Sequence, residues 1–181
     1  MKHIVIRPQL YLLLPLMFLF PSGWILSWLI AATLHEFFHL MVLRLFGVRI
    51  RMFEIGISGA KIITEPMTPG KEFVTALAGP IGALTLLAFS QYFPKVTVCA
   101  FAQSLYNLLP VYPLDGGRAL RCLLIQKLRP KWLLIWERCI FLAIVIVILW
   151  LSLRFKLGML SFVLVITLGI QHGNTNIPCK D

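Results

Sequence analysis

The stretch WILSWLIAATLHEFFHLMVLRLF, Trp24–Phe46, is an apolar run that contains two histidines and a glutamate. A run of roughly 20 apolar residues is long enough to form a helix that crosses a bilayer. An ionisable side chain at bilayer depth is costly, so it marks a candidate functional site. His35 and His39 are one helical turn apart, so they project from one face of the helix and can bind one metal ion.

The composition of the whole chain is that of a membrane protein. Hydrophobic residues occupy 59% and charged residues 13% of the 181 positions, a balance that soluble domains do not have. We predict an all-α integral membrane protein with about six transmembrane helices, the first of them retained rather than cleaved as a signal peptide. The six apolar runs are Leu10–Phe20, Trp24–Phe46, Phe73–Phe93, Val96–Leu109, Trp132–Leu153 and Leu157–Ile170.

The basic residues predict the orientation of these spans. If the N-terminus is cytoplasmic, all of the 17 lysines and arginines fall on the cytoplasmic side except Lys95, Arg154 and Lys156. This bias follows the positive-inside rule and supports an even number of spans, so both termini are expected in the cytoplasm. The basic surface is then expected to contact the lipid bilayer, with no nucleic acid as a partner.

Two segments depart from the transmembrane pattern. Residues Val48–Thr64 alternate between apolar and polar side chains, with a shift of phase between Met52 and Phe53 that a bulge would cause. We predict a short membrane-associated β-hairpin here, between the second and third spans. Residues Gly116–Lys131 combine arginines with leucines, which predicts an amphipathic interfacial helix ended by Pro130.

The third predicted span carries small residues at helical spacing. Thr75, Gly79 and Ala83 lie four positions apart, which allows two helices to approach closely in lipid. We interpret this stripe as a packing face and expect it to contact the helix that carries His35 and His39.

The pattern HEFFH, from His35 to His39, is typical of zinc metalloproteases. In such sites two neutral imidazoles and a third protein ligand hold Zn²⁺ and leave one position for water. Zinc lowers the pKa of that water towards ~7, and the glutamate accepts its proton. The pattern therefore predicts His35 and His39 as metal ligands, Glu36 as the catalytic base, and Zn²⁺ as the cofactor.

A third ligand must come from elsewhere in the chain, and Asp115 is the favoured candidate. It lies in NLLPVYPLDGGR, Asn107–Arg118, where Pro110 and Pro113 interrupt the fourth predicted span. Broken backbone at membrane depth is tolerated only where it is buried in protein or lines a cavity. Counted along their helices at 1.5 Å per residue, Asp115 and the two histidines reach compatible depths near the cytoplasmic side.

Three motifs in order make the chain similar to the site-2 protease family of intramembrane zinc metalloproteases. They are HEFFH in the second span, AGP in the third, and NLLPVYPLDGG at the end of the fourth. The residues of the motif NLLPVYPLDGG are most similar to those of the sporulation branch of this family. The protease of that branch releases a sigma factor from a membrane-tethered precursor. The resemblance implies zinc bound by His35, His39 and Asp115, Glu36 as base, and Asn107 as a residue that positions substrate or stabilises the oxyanion.

The resemblance also implies a setting and partners. We expect a multi-pass protein of the bacterial cell membrane that cleaves a membrane-tethered protein, such as a pro-sigma factor, together with membrane regulatory proteins. From the sequence itself we expect one domain over residues 1–181, with a catalytic core at about 24–118. We expect no PDZ domain, which agrees with the sporulation branch, and no CBS domain, which departs from that branch. The hairpin segment Val48–Thr64 is expected to bind the unwound substrate by β-addition.

Other functions need other residues. A membrane HExxH protease of another family would use a glutamate as its third ligand, and Glu137 is the candidate, although we interpret it as a partner of Arg138. A non-proteolytic metal-binding channel or transporter would need more polar groups along its spans than this chain offers. A scaffold that lacks activity would not need Glu36.

Overall fold

The computed structural model describes residues 3–6, 21–56 and 59–155, together with the single positions 165 and 169. The chain forms two compact units, Met1–Leu108 and Leu109–Asp181. The predicted first span lies outside the described residues, and so does the sixth apart from those two single positions.

The first unit contains a sheet of three strands, β1 (His3–Ile6), β2 (Ile50–Gly56) and β3 (Gly59–Thr64), in that spatial order. Strands β2 and β3 are antiparallel, which confirms the predicted hairpin, and their register shifts between Ile50 and Met52. The bulge therefore precedes the phase shift predicted from the sequence. Strand β1 pairs with β2 in parallel and was not predicted.

The second, third and fourth predicted spans correspond to three helices of the first unit. They are α1 (Ser22–Leu45), α2 (Pro69–Leu84), which continues as a 3-10 helix over Thr85–Phe89, and α3 (Pro94–Asn107). Helices α2 and α3 begin with proline, which suits the first helical position because the missing N–H has no partner there anyway. All three helices contact one another.

Alanines form the core where these helices meet. Ala31 of α1 and Ala83 of α2 are both 0% exposed, and Ala100 of α3 is 1% exposed. Methyl side chains let helix backbones approach closely, which is how helices associate in lipid in the absence of a hydrophobic driving force between them. The close approach brings the face of α1 that carries His35 and His39 against α2 and α3.

The second unit contains α4 (Asp115–Leu124) and α5 (Pro130–Phe155). The predicted helix over Gly116–Lys131 is thus too long: α4 ends at Leu124, and Pro130 begins the next helix instead of ending this one. The reason is that proline breaks a helix in its interior but is favoured at its first position. Sequence alone did not distinguish the two cases.

Three of the described helices are long and apolar enough to cross a membrane, over Ser22–Leu45, Pro69–Phe89 and Pro130–Arg154. Their outer faces carry large apolar side chains, including Trp28 at 46% and Trp150 at 62% exposure. Lipid rather than water is the solvent that such surfaces require. The structure therefore indicates an integral membrane protein.

Helix α3, in the place of the fourth predicted span, is shorter than a full span. Its 14 residues cover about 21 Å at 1.5 Å per residue, whereas the hydrocarbon core is ~30 Å thick. Three spans are supported within residues 21–155, and the total of six stays a prediction.

Candidate metal centre

One face of α1 is buried along the length of the helix. Its buried residues are Ser27, Ala31, His35, His39 and Leu43, and this spacing of four forms a single stripe. His35 is 2% and His39 is 6% exposed. Both imidazoles therefore lie inside the protein and not in the lipid.

The two imidazoles approach each other through their Nε2 atoms. The distance from His35 Nε2 to His39 Nε2 is 3.2 Å, and the ring planes are inclined at 78°. Two nitrogens bound to one tetrahedral Zn²⁺ at ~2.0–2.1 Å lie about 3.3 Å apart. The observed separation therefore fits two ligands of the same zinc ion.

A backbone carbonyl fixes the orientation of His39. The Nδ1 atom of His39 lies 2.7 Å from the carbonyl oxygen of Thr75 on α2. A carbonyl oxygen can only accept, so we assign the proton to Nδ1, which donates it. The lone pair of the neutral ring is then on Nε2, the atom that faces His35. Metal-binding histidines are commonly held in their tautomer by a hydrogen bond of this kind.

Asn107 and Glu36 lie beside the histidines. Asn107 is the last residue of α3, and its Nδ2 lies 3.3 Å from His35 Nε2, so its amide reaches the point where the two rings meet. Glu36 follows His35 in α1 and is half-buried. One residue step turns ~100° around a helix, which separates Glu36 from the buried stripe. The first unit thus brings His35, His39 and Asn107 together.

Asp115 is the first residue of α4 in the second unit. It is 8% exposed, and its Oδ1 lies 3.6 Å from Nη1 of Arg118. The dipole of α4 also favours a negative charge in the first turn. Asp115 offers a carboxylate oxygen and each histidine offers a ring nitrogen, and all three side chains are buried. These are the ligand types that zinc binds in proteins.

The turn that precedes Asp115 is tightly packed. Gly117 approaches the backbone of Val111 and Tyr112 so closely that a Cβ at position 117 would overlap both. Val111 and Leu114 are buried. Glycine at position 117 therefore allows α4 to begin directly against the turn, which fixes Asp115 within its unit.

Glu137, the alternative third ligand, forms an ion pair within the second unit. Its Oε1 lies 3.6 Å from Nε of Arg121, and the guanidinium of Arg121 lies 4.8 Å from the ring centroid of Tyr112. The interpretation of Glu137 as a partner of Arg138 is therefore replaced by a pair with Arg121. Consecutive helical residues do not face each other, whereas Arg121 reaches Glu137 from another helix.

The sequence revealed only part of what α2 contributes. The stripe that contains Thr75 and Gly79 was expected to pack against the histidine helix, and the structure confirms this contact. The hydrogen bond from His39 was missed because it uses a backbone carbonyl. Every residue carries one, so the sequence holds no signal for it.

The structure is similar to that of a site-2 protease from Methanocaldococcus jannaschii. The TM-score is 0.76 at 19% sequence identity, over 99% of this chain and 93% of that chain. The chain has the fold of that protease. A curated zinc metalloprotease of the same organism is 28% identical over 112 residues, which are 54% of this chain and 33% of the relative. The match thus spans about a third of the relative's length, and no family model matches the chain.

The likeness to the solved structure thus shows the fold, and the curated relative that matches part of this chain is itself a zinc metalloprotease. Neither relative is described as a sporulation protease, so the sporulation branch and its sigma-factor substrate stay predictions.

Proposed function

We propose that this protein is an intramembrane zinc metalloprotease, which hydrolyses a peptide bond in or near the transmembrane segment of a membrane-tethered protein. The observation that carries the proposal is the pair of buried Nε2 atoms of His35 and His39, 3.2 Å apart on an apolar helix. Two imidazole nitrogens at this separation on one face of a helix match two ligands of a single zinc ion. The likeness in fold to a site-2 protease supports the proposal.

His35, His39 and Asp115 would hold the zinc ion. Bound there, Zn²⁺ would act as a Lewis acid that acidifies the attacking water and polarises the scissile carbonyl. Asp115 is preferred to Glu137 because it is buried at the start of a helix within the proline-rich motif. Glu137 is already paired with Arg121.

Glu36 serves as the general base in this mechanism. It accepts a proton from the water as the water oxygen adds to the carbonyl carbon, and it returns the proton to the amide nitrogen as the C–N bond breaks. Asn107 donates its amide N–H to the carbonyl oxygen while negative charge develops there. The carbonyl of Thr75 holds His39 in the required tautomer throughout.

A transmembrane substrate must unwind before it can be cleaved, because a helix engages its peptide groups in internal hydrogen bonds. Strand β3 lies at the edge of the sheet, so its backbone can pair with an extended substrate by β-addition. A membrane-tethered regulatory factor, such as a pro-sigma factor, is the substrate class we propose, with cleavage controlled by membrane regulatory proteins.

Purified protein in detergent is expected to contain about one zinc ion per chain and to cleave a single-span substrate. His35→Ala and His39→Ala should each lose most of the zinc, because each removes one ligand nitrogen. Zinc is measured by atomic emission, and cleavage by gel assay before and after chelation and zinc repletion. His3→Ala, a histidine outside α1, is the control. Full zinc content in both α1 variants would rule the site out.

We also propose that both termini face the cytoplasm of a bacterial cell. Reporter fusions after Asp181 and within residues 47–70 are expected to report a cytoplasmic position, and a fusion near Lys95 an external one. The reason is the excess of basic residues on one side of the predicted spans. A C-terminal reporter on the outside would contradict the even number of spans.

A further inference from the structure

The side of His39 that faces α2 packs against a residue without a side chain. A Cβ at Gly79 would lie 2.6 Å from Cε1 and 2.7 Å from Cδ2 of His39, and closer still to Nε2. Non-bonded carbon atoms are in optimal contact at ~3.5–4.0 Å. Any residue other than glycine at position 79 would therefore force the imidazole to move.

Thr75 and Gly79 lie one turn apart on α2 and contact the same ring in two ways. The carbonyl of Thr75 accepts the hydrogen bond from Nδ1 at 2.7 Å, while Gly79 leaves the space that the rest of the ring occupies. Thr75 is itself buried, and its hydroxyl donates to the carbonyl of Lys71 at 2.8 Å. The hydrogen bond to Thr75 thus orients the imidazole of His39, and the absence of a side chain at Gly79 leaves room for it.

We propose that Gly79 is a positioning residue for the metal centre. Its missing side chain forms the slot in which His39 directs Nε2 at His35 while Nδ1 stays bonded to Thr75. A methyl group at position 79 displaces the ring, so that the hydrogen bond to Thr75, the approach to His35 or both are lost. The consequence for zinc rests on the proposed function, whereas the slot is a property of the metal-free protein.

Gly82 of the same helix provides a matched control. A Cβ there would lie 2.6 Å from Cδ1 of Phe38 and closer to two other atoms of that ring. Both glycines are buried and both contact α1, but Phe38 has no ligand atom. Gly82→Ala therefore creates the same kind of overlap between the same two helices without touching a proposed metal ligand.

Gly79→Ala is expected to lower zinc affinity by about 10- to 100-fold, the effect of losing a partner that orients a metal-binding histidine. Gly82→Ala should leave zinc affinity close to that of the unmodified protein. Affinity is measured on monodisperse protein in detergent, by competition with a chromophoric chelator. Equal losses in the two variants, or no loss in Gly79→Ala, would overturn the proposal.

A second experiment uses metal-free protein, so it tests the packing of His39 in the slot independently of zinc binding and of the proposed function. Thermal unfolding is compared for Gly79→Ala alone and in the His39→Ala background. Because His39→Ala removes the ring, Gly79→Ala should lower the Tm of the unmodified protein and have little effect in that background. Gly82→Ala should lower the Tm equally in both backgrounds.

The two experiments distinguish the outcomes. If Gly79→Ala lowers the Tm equally in the unmodified protein and in the His39→Ala variant, the proposed slot is refuted. Coupling between positions 79 and 39 in a protein that binds no zinc would support the slot and refute the proposed function. If Gly79→Ala alone does not fold, recovery of folded protein on adding His39→Ala supports the slot, and failure to recover refutes it.

Discussion

Glu36→Gln is expected to abolish proteolysis while the protein keeps its zinc. The amide of glutamine has nearly the shape of the carboxylate but cannot accept the proton of the attacking water. General acid–base catalysis contributes roughly 10²–10⁴-fold to a rate, so cleavage should fall by at least about 10²-fold. The zinc ligands proposed are other residues, so metal content should not change. Both quantities are measured on the same preparation, by initial cleavage rate and by atomic emission.

Glu65→Gln is the control for this variant. Glu65 is half-buried between β3 and α2, and its backbone N–H donates to the carbonyl of Arg49 at 3.1 Å, which glutamine preserves. The control should retain both rate and metal. Cleavage by Glu36→Gln at the rate of the unmodified protein would refute the assignment of Glu36 as the base.

Asp115→Asn is expected to cause the largest loss of zinc affinity of any single carboxylate substitution. It replaces an anionic ligand oxygen by a neutral amide of nearly the same shape. The affinity should therefore fall well beyond the 10- to 100-fold typical of residues that only orient a ligand, and activity should fall with it. Isothermal titration of zinc into the metal-stripped variant measures the affinity directly.

Glu137→Gln is the matched control, because Glu137 is the other acidic residue considered as a third ligand. This variant weakens the ion pair with Arg121, in which the atoms are 3.6 Å apart, but should leave zinc binding intact. The reverse pattern, with zinc lost from Glu137→Gln and kept by Asp115→Asn, would assign the chain to proteases with a glutamate ligand. It would also refute the site-2 interpretation.

The features that the sequence predicted are those with a local pattern. The apolar run and the spacing of His35 and His39 lie within one helix, so one stretch of sequence predicted both the element and the buried histidine face. The hairpin was visible for the same reason, since alternation over Val48–Thr64 is a period of two along consecutive residues. In the second unit, Asp115 is found buried, and its role as a ligand stays a prediction.

The features that the sequence did not predict depend on contacts between distant residues or on backbone atoms. Strand β1 pairs His3 with Met52, and four residues are too few to show a period of their own. The pairing of Glu137 with Arg121 joins two helices whose ends were misplaced around Pro130. The contact of His39 with the carbonyl of Thr75 uses a backbone atom, so the pattern of side chains along the sequence does not indicate it.

The alanines at the core of the first unit reverse the usual relation between the size of a side chain and its tolerance of substitution. In a soluble domain the bulkiest side chains are inside, and their truncation is the costly change. Here many of the large apolar residues face outward, as Trp28 does at 46% exposure, and one apolar side chain in lipid serves about as well as another. At Ala31, Ala83 or Ala100 each added methylene has no space to occupy and would wedge two helices apart. In a saturation library we therefore expect outward-facing positions such as Trp28 to accept many apolar residues, and Ala31, Ala83 and Ala100 to accept few substitutions.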